Sequence, residues 1–320
     1  MQKMENTEHI EGRIYQHSLE LKEVKNQSSP NFGKKYIGGT IEVAVDETGM
    51  NVIPVEFTYV TETTSKGATN KTFTELMKII NNGKAWLTDG AETATKVTID
   101  TALALNDFPA QDGTMVSQMI NQGGFVTVID KLKEDVDLRH TFRTDVLITN
   151  VAHVDADPEK FIDEDYSVIR GAIFNFRNAL LPVEFVVKNP QGMKYFEDLD
   201  IAASQPVFTK VWGRINFANK SVKETTESAF GEEAVNVRNR KIREWIVTGT
   251  SKVPYDFGDE RVLTVEEVVK AQQDREIYLA DIKKRRDEYM AQKNAATPSA
   301  FGSNAVPTPT NNVVAGGFKF

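Results

Sequence analysis

The chain has 320 residues, a formal net charge of -8 and no Cys. Its length predicts about two domains rather than one ordinary core. The absence of Cys excludes disulfides, thiolate nucleophiles and thiolate metal sites, and no window approaches the roughly 18 uninterrupted apolar residues of a membrane span. We therefore expect a cytoplasmic protein.

The first half reads as short strands separated by turns, with one helix. Residues 36–45 and a strand that returns through Phe57 form a hairpin. Residues 72–82 carry apolar side chains at helical spacing, and Gly83 ends that helix. Further strands are predicted at residues 11–22, 95–99, 125–129 and 142–154.

An acidic stretch at residues 155–165 separates this half from a second β unit. Two strands that each contain a Trp complete the unit, and the long polar segment between them, residues 219–239, reads as a mobile flap. The predicted elements are strands at residues 167–177, 181–188, 208–214 and 241–247 and a short helix at residues 192–199.

A five-stranded Greek-key barrel of the oligonucleotide-binding (OB) type has three strands, a helix and then two strands. The predicted elements follow this order twice along the chain. We therefore predict a mainly β protein with a few helices, built from two OB-like barrels at residues 1–155 and 156–258. A β-sandwich is the alternative architecture.

The C-terminal part of the chain differs from the rest in predicted structure and in composition. Residues 259–293 should form a C-terminal helix, because Thr264 and Glu267 make a capping box before an apolar stripe. Residues 294–320 are rich in Ala, Pro, Thr, Asn and Gly and should be a disordered tail with an aromatic tip.

The two Trp-containing strands carry the clearest indication of a ligand. Alternation groups each Trp with basic residues on one face, and residues 206–252 hold nine Lys and Arg against five Glu. Aromatic faces between cations suit an unpaired polynucleotide, since every base can stack and every linkage is negative. The alternative is a strand face covered by a helix, with the basic stems lying around buried rings. We predict stacking by Trp212, Trp245, Phe174 and Phe176, and phosphate contacts by Lys210, Arg214, Arg238, Arg240, Lys241 and Arg243.

In these features the chain resembles the single-stranded-DNA-binding proteins of tailed bacteriophages and, more distantly, those of bacteria. The similarity lies in the segments around Trp212 and Trp245, the acidic total charge, the low-complexity linker and the aromatic tip with Phe318 and Phe320. It implies a non-catalytic protein that binds single-stranded DNA during phage DNA replication or recombination, in the host cytoplasm. It also implies that the tip recruits replication proteins or neighbouring subunits. No Asp or Glu follows Glu288, whereas the bacterial tail is acidic before its last Phe.

Two other functions remain open from the sequence. A structural or assembly protein of a virion would use β modules, the long helix and the tail to bind its neighbours. A hydrolase would need a metal, for which His153, Asp155 and Asp157 are the best candidates, because alternation would align them. Neither a phosphate-binding Gly motif nor a nucleophile elbow is present. We expect no catalytic residues, cofactor or metal.

Overall fold

The computed structural model describes residues 4–157, 162–202, 205–226, 230 and 234–296. The predicted tail from residue 297 onwards, with Phe318 and Phe320, lies outside the described residues. Within these ranges no helix is both long and apolar enough to cross a membrane.

The described part of the chain is mainly β, as the sequence predicted. Its strands are β1 (Asn6–His17), β2 (Glu20–Glu23), β3 (Lys35–Ala44), β4 (Val52–Thr61), β5 (Lys96–Pro109), β6 (Met115–Ile129), β7 (His140–Val154), β8 (Tyr166–Phe174), β9 (Leu180–Val187), β10 (Val207–Thr226) and β11 (Ala234–Thr250). Its helices are α1 (Lys71–Asn82), α2 (Trp86–Asp89), α3 (Pro190–Glu197) and α4 (Val265–Ala296), with a 3₁₀ turn at Val136–Leu138.

Five strands close into a first ring. Their order around it is β1-β3-β4-β6-β5, and β5 returns to β1. Counted along the chain, this is the order 1-2-3-5-4-1, in which the third and fifth strands are parallel and the others antiparallel. Helix α1 connects the third strand to the fourth. This is the topology of an OB-type Greek-key barrel.

A second ring repeats the same topology. Its order is β7-β8-β9-β11-β10, and β10 returns to β7, while β9 and β11 are parallel and α3 connects the third strand to the fourth. The prediction of two OB-like barrels is confirmed. Strand β7 also pairs with β1 and so joins the rings in one sheet. The predicted boundary after residue 155 would assign β7 to the first domain, although β7 belongs to the second ring. The division into domains stays a prediction.

Apolar side chains fill both rings and a smaller space beneath α4. The main cluster includes Ile10 and Ile99 of the first ring and Phe185 and Ile215 of the second. A second cluster lies on the outside of the second ring, where Leu263 and neighbouring residues cover Phe174 and Phe208. Burial of the Phe174 and Phe208 side chains on the outside of the second ring holds the first part of α4 against that ring.

In the segment predicted as a flap, residues 219–226 and 234–239 are instead paired strands. Strands β10 and β11 pair without interruption from Gly213↔Val247 to Thr226↔Ala234. The polar composition of the segment had suggested a loop, but backbone pairing between the strands does not require apolar side chains.

Helix α4 begins where its capping box predicts. The Thr264 backbone N–H donates to Glu267 Oε2 at 2.9 Å, and the Glu267 N–H donates to Thr264 Oγ1 at 3.3 Å. These reciprocal bonds satisfy two N–H groups that a free helix end would leave unpaired.

Candidate functional site

The hairpin of β10 and β11 extends beyond the second ring as an arm. Strand β10 pairs with β7 only as far as Arg214, and β11 pairs with β9 at Ile246. Beyond this point, within the ranges that the structure describes, the two strands pair only with each other, apart from a bridge between Ala218 and Asn51. We call residues 217–226 and 234–243 the arm. It connects the fourth and fifth strands of the second ring.

The base of the arm rests on the turn between β3 and β4 of the first ring. The Asn51 side chain donates to the Ile215 carbonyl at 3.2 Å and accepts from the Phe217 N–H at 2.9 Å. Because these bonds hold backbone groups of β10, they fix where the arm leaves the second ring.

Two cations at the base of the arm are exposed. The Arg243 guanidinium lies 5.9 Å from the centroid of the Phe217 ring. Neither Lys241 nor Arg243 forms an ion pair with a carboxylate of the described part of the chain. Cations without a carboxylate partner can bind a phosphate without first breaking an ion pair.

A shallow groove of about 170 Å³ separates the arm from the first ring. Tyr15 and Pro54 line it on the side of the first ring, and Phe217, Lys241 and Arg243 line it on the side of the arm. The Tyr15 ring lies 6.0 Å from that of Trp86. The groove therefore combines the partly exposed Tyr15 ring and two unpaired cations with one carboxylate, that of Glu42.

The cations predicted on the ring portion of β10 are engaged with carboxylates. Lys210 Nζ lies 2.8 Å from Glu5 and 3.7 Å from Asp145. The hydrogen bond to Glu5 raises the pKa of Lys210. Arg214 lies 2.6 Å from Asp137. These contacts connect β10 with the residue before β1, with β7 and with the 3₁₀ turn, so a phosphate would have to compete with a carboxylate at both positions.

Trp212 lies apart from the arm, on the wall of a groove of about 760 Å³ where the rings meet. Its side chain is 38% exposed, so a base could stack on it. Acidic and basic side chains share the lining, namely Glu5, Glu8, Asp100 and Asp137 with Arg143 and Arg214. This surface is less suited to a polyanion than the arm is.

Two of the predicted stacking residues are buried, and for them the prediction is wrong. Trp245 is 3% exposed and Phe174 is 1% exposed. Trp245 faces Ile215 in the register and points into the second ring, whereas Phe174 belongs to the cluster beneath α4. Phe208, grouped by alternation with Trp212, is buried in that cluster too.

The other predicted residues are dispersed. Phe176 is 67% exposed on the turn between β8 and β9, with the Arg177 guanidinium 5.0 Å from its ring centroid. Arg238 and Arg240 lie on the arm, but their side chains are outside the described residues. The structure therefore brings Lys241 and Arg243 together and separates both from Trp212 and Phe176.

Sequence reasoning missed the aromatic residues beside the arm. Tyr15 lies in the first ring, more than 200 residues before Arg243 in the chain, and Trp86 lies 6.0 Å from it, whereas Phe217 is a buried core residue that borders the groove. No local pattern links these segments, because their proximity depends on how the two rings join.

The metal candidate is not supported by the described residues. His153 lies 3.2 Å from Glu197 and 3.5 Å from Asp155, which are hydrogen-bond or ion-pair distances. Within the ranges that the structure describes, no group of three His, Cys, Asp or Glu residues is arranged to hold a metal ion.

A buried carboxyl group connects the two rings behind Trp212. Glu8 of β1 accepts hydrogen bonds from Trp245 Nε1 and from Thr101 Oγ1, both at 2.8 Å. Burial raises the pKa of Glu8 to about 7, because the loss of water outweighs the two hydrogen bonds that favour the ionised form.

This carboxyl group should make stability depend on pH. Between its ordinary pKa of 4.5 and about 7, the folded protein holds a proton at Glu8 that the unfolded chain has released. Stability therefore decreases as pH rises through this interval, by about 3 kcal/mol from this group. We expect Glu8→Gln, which stays neutral, to remove that component from free energies of unfolding measured in denaturant from pH 4 to 8. Equal pH dependence in wild type and Glu8→Gln would contradict the assignment, and Glu20→Gln on the exposed β2 is the control.

Comparison with known proteins gives one family and a distant structural likeness. The profile of the YorF family matches residues 5–285. No curated protein matches the chain. Among solved structures, a deletion mutant of the single-stranded DNA binding protein from Thermus aquaticus aligns with a TM-score of 0.44 and 12% sequence identity, covering 80% of this chain and 98% of that one.

Proposed function

This chain belongs to the YorF family, and we propose that it is a non-catalytic protein that binds single-stranded nucleic acid. The observation that carries the proposal is the position of the arm. In OB-type barrels the loop between the fourth and fifth strands is one of the elements that bind oligonucleotides. Here that connection carries Lys241 and Arg243, both unpaired in the described part of the chain, beside aromatic rings.

The chemistry of the arm supports a single strand over a duplex. Base faces are accessible only when a strand is unpaired, and the partly exposed Tyr15 ring beside the arm could then stack on one of them. The sequence places four more cations on the arm, namely Lys220, Lys223, Arg238 and Arg240. Their positive charge is concentrated in one element, although the whole chain is acidic, and the field at the binding surface depends on that local charge.

Removing the two unpaired cations should weaken binding in a salt-dependent way. For single strands, the logarithm of the binding constant falls with the logarithm of salt concentration by about 0.7 per phosphate contact. The double variant Lys241→Ala/Arg243→Ala should therefore flatten that slope by about 1.4. Fluorescence anisotropy with a labelled oligonucleotide at several salt concentrations measures it.

The matched control removes two exposed cations away from the arm, Lys252 and Lys270. Lys252→Ala/Lys270→Ala changes the net charge equally but should leave the slope unchanged, because the contacts rather than the total charge set it. A wild-type protein without salt-sensitive affinity for any single strand would overturn the proposed function.

We also propose the more specific role that the resemblance implies, namely single-stranded DNA binding in phage DNA replication or recombination in the host cytoplasm. Gel shifts with single-stranded DNA, duplex DNA and RNA at two salt concentrations test the preferred ligand. Docking of replication proteins at Phe318 and Phe320, and self-association, belong to the same proposal. Tighter binding to duplex DNA than to single strands would contradict it.

A role in virion assembly is the second candidate, and α4 is the observation that favours it. The helix exposes several large apolar side chains, namely Val265, Val269, Ile277, Tyr278, Tyr289 and Met290. Exposed apolar surface of this kind often binds another protein. Copurification with particles, together with no affinity for oligonucleotides, would favour assembly.

A further inference from the structure

A cavity of about 530 Å³ lies between α4 and the two rings. Strand β5 of the first ring, the turn between β8 and β9 of the second ring and residues 271–278 of α4 line it. Small side chains leave this space, since Ala104 of β5, Ala179 of the turn and Ala271 of α4 all belong to the lining. We call this space the α4 cavity. Its volume is typical of pockets that bind a ligand.

Four polar side chains of the lining already have partners within the protein. They form hydrogen bonds or ion pairs inside the chain, namely Asn6 with Leu103, Gln122 with Glu56, Asn175 with Ala179 and Arg275 with Asp107. Groups that are paired in this way gain little from a polar ligand, and a ligand that displaced their partners would leave buried groups unsatisfied. The interior of the α4 cavity therefore suits apolar side chains.

The lining also includes groups that are exposed to solvent. Phe176 and Tyr278 are 67% and 52% exposed. Asp274 of α4 is exposed as well and forms no ion pair within the described part of the chain. The α4 cavity thus combines apolar and aromatic surface with one available negative charge.

Residues 297–320 contain side chains of matching chemistry. Phe318 and Phe320 flank Lys319, whose side chain is the only ionisable one after Lys293. Each Phe ring that moves from water into an apolar cavity favours docking by roughly 10- to 150-fold. One ammonium group complements the carboxylate of Asp274, so both the apolar and the charged parts of the cavity find a counterpart in three consecutive residues.

The α4 cavity is within reach of these residues in the same chain. Tyr278 lies eighteen residues before Ala296, the last residue of α4, which corresponds to about 27 Å of helix. Phe318 follows Ala296 by twenty-two residues, and a chain of that length spans at most about 75 Å. A segment that is tethered this close to its site meets it at an effective concentration in the millimolar range.

We propose that Phe318 and Phe320 dock in the α4 cavity of their own chain, with Lys319 paired to Asp274. The inference goes beyond the proposed function and does not rest on it. Among the described residues, the α4 cavity and the groove beside the arm have no lining residue in common, so docking leaves the arm accessible. A partner protein that binds the two Phe side chains has to compete with the cavity for them.

Distances between two spin labels test the docking on the full chain, without nucleic acid. The chain has no Cys, so Gln272→Cys and Gly316→Cys place one label on α4 and one beside the two Phe residues. Gln272 is exposed and follows Ala271 of the cavity lining. Pulsed electron paramagnetic resonance should show a short and narrow distance distribution. In the Phe318→Ala/Phe320→Ala background, this narrow population should be lost and a broad distribution should remain.

Phe301→Ala is the matched control for the two Phe residues. Phe301 follows Ala296 by five residues, which span at most about 18 Å and so fall short of the cavity. This variant should keep the narrow distribution. Asp274→Asn should lower the ratio of docked to undocked chains by about 1.5- to 5-fold, because an exposed ion pair contributes modestly.

A change on the other side of the contact tests the location. Ala104→Leu/Ala179→Leu fills the cavity from both rings without altering residues 297–320, and should abolish the narrow distribution as the loss of the two Phe rings does. Circular dichroism confirms that this variant is folded. If the narrow distribution persists in the folded variant, the Phe side chains dock elsewhere and the inference is overturned.

Three further outcomes would also overturn it. One is a broad distribution in the otherwise unaltered chain, equal to that of Phe318→Ala/Phe320→Ala. Another is loss of the narrow population in Phe301→Ala. The third is a short distance in a mixture of chains that are labelled at only one position each, because it would place the Phe side chains in a neighbouring copy. None of these measurements involves nucleic acid, so the proposed function stands or fails separately.

Discussion

Replacing Trp245 with Ala should lower the free energy of unfolding by about 3–5 kcal/mol, the usual cost of truncating a large buried aromatic residue. The indole is 3% exposed inside the second ring and meets the Phe217 ring edge to face at 5.3 Å. Its removal leaves a cavity and takes from Glu8 one of its two hydrogen-bond donors. Chemical denaturation followed by circular dichroism measures the loss.

Trp245→Phe and Trp212→Ala are the informative controls. The Phe variant keeps most of the buried volume and loses the N–H, so it should cost about 1–3 kcal/mol. Trp212 is largely outside the core, and its truncation should cost far less than that of Trp245. If Trp245→Ala unfolds like wild type and instead loses affinity for oligonucleotides, the indole faces a ligand and its position in the core is wrong.

Breaking the ion pair between Asp107 and Arg275 should release α4 from the first ring. Arg275 Nη2 lies 2.7 Å from Asp107 Oδ1 and Nη1 lies 3.3 Å from Oδ2, and Nη2 also donates to Ser117 at 2.9 Å. Both side chains are almost fully buried. Asp107→Ala leaves the guanidinium buried without its counter-charge, at an expected cost of about 3–5 kcal/mol.

Hydrogen exchange can locate this effect. Asp107→Ala should speed exchange in α4 and in the β5–β6 hairpin more than in the second ring. Asp107→Leu/Arg275→Met, which removes both charges, should recover much of the stability. Asp281→Ala breaks a pair with Arg285 on the exposed surface of α4 and should cost less than about 0.5 kcal/mol. Unchanged exchange in α4 of Asp107→Ala would show that this pair does not hold the helix.

The elements that local sequence determines were predictable. Residues 72–82 form α1 from Lys71 to Asn82, because apolar spacing and Gly83 are signals carried within one segment. The capping box placed the start of α4 in the same way. The repeated order of strands and one helix was sufficient to predict two OB-like barrels, since each ring follows that order.

Alternation could not decide which face of a strand is inside. Trp212 and Trp245 have similar basic neighbours, yet one is exposed and the other is buried. Period-two patterning separates two faces but does not say which one meets a core. On β11, one face carries Trp245, Arg243 and Lys241. At Trp245 this face points into the second ring, whereas at Arg243 and Lys241 the strand has left the ring and the same face is exposed.

By itself, the sequence determined the mainly β class, the two barrels, the capped helix and the concentration of cations near the two Trp residues. Only the tertiary structure decided that Lys210 and Arg214 are not free, because they meet the carboxylates of Glu5 before β1, Asp145 on β7 and Asp137 in the turn before β7. It also placed Tyr15 beside the arm. Charge matching and exposure depend on contacts between segments far apart in the chain, and such contacts leave no periodic signal in either segment.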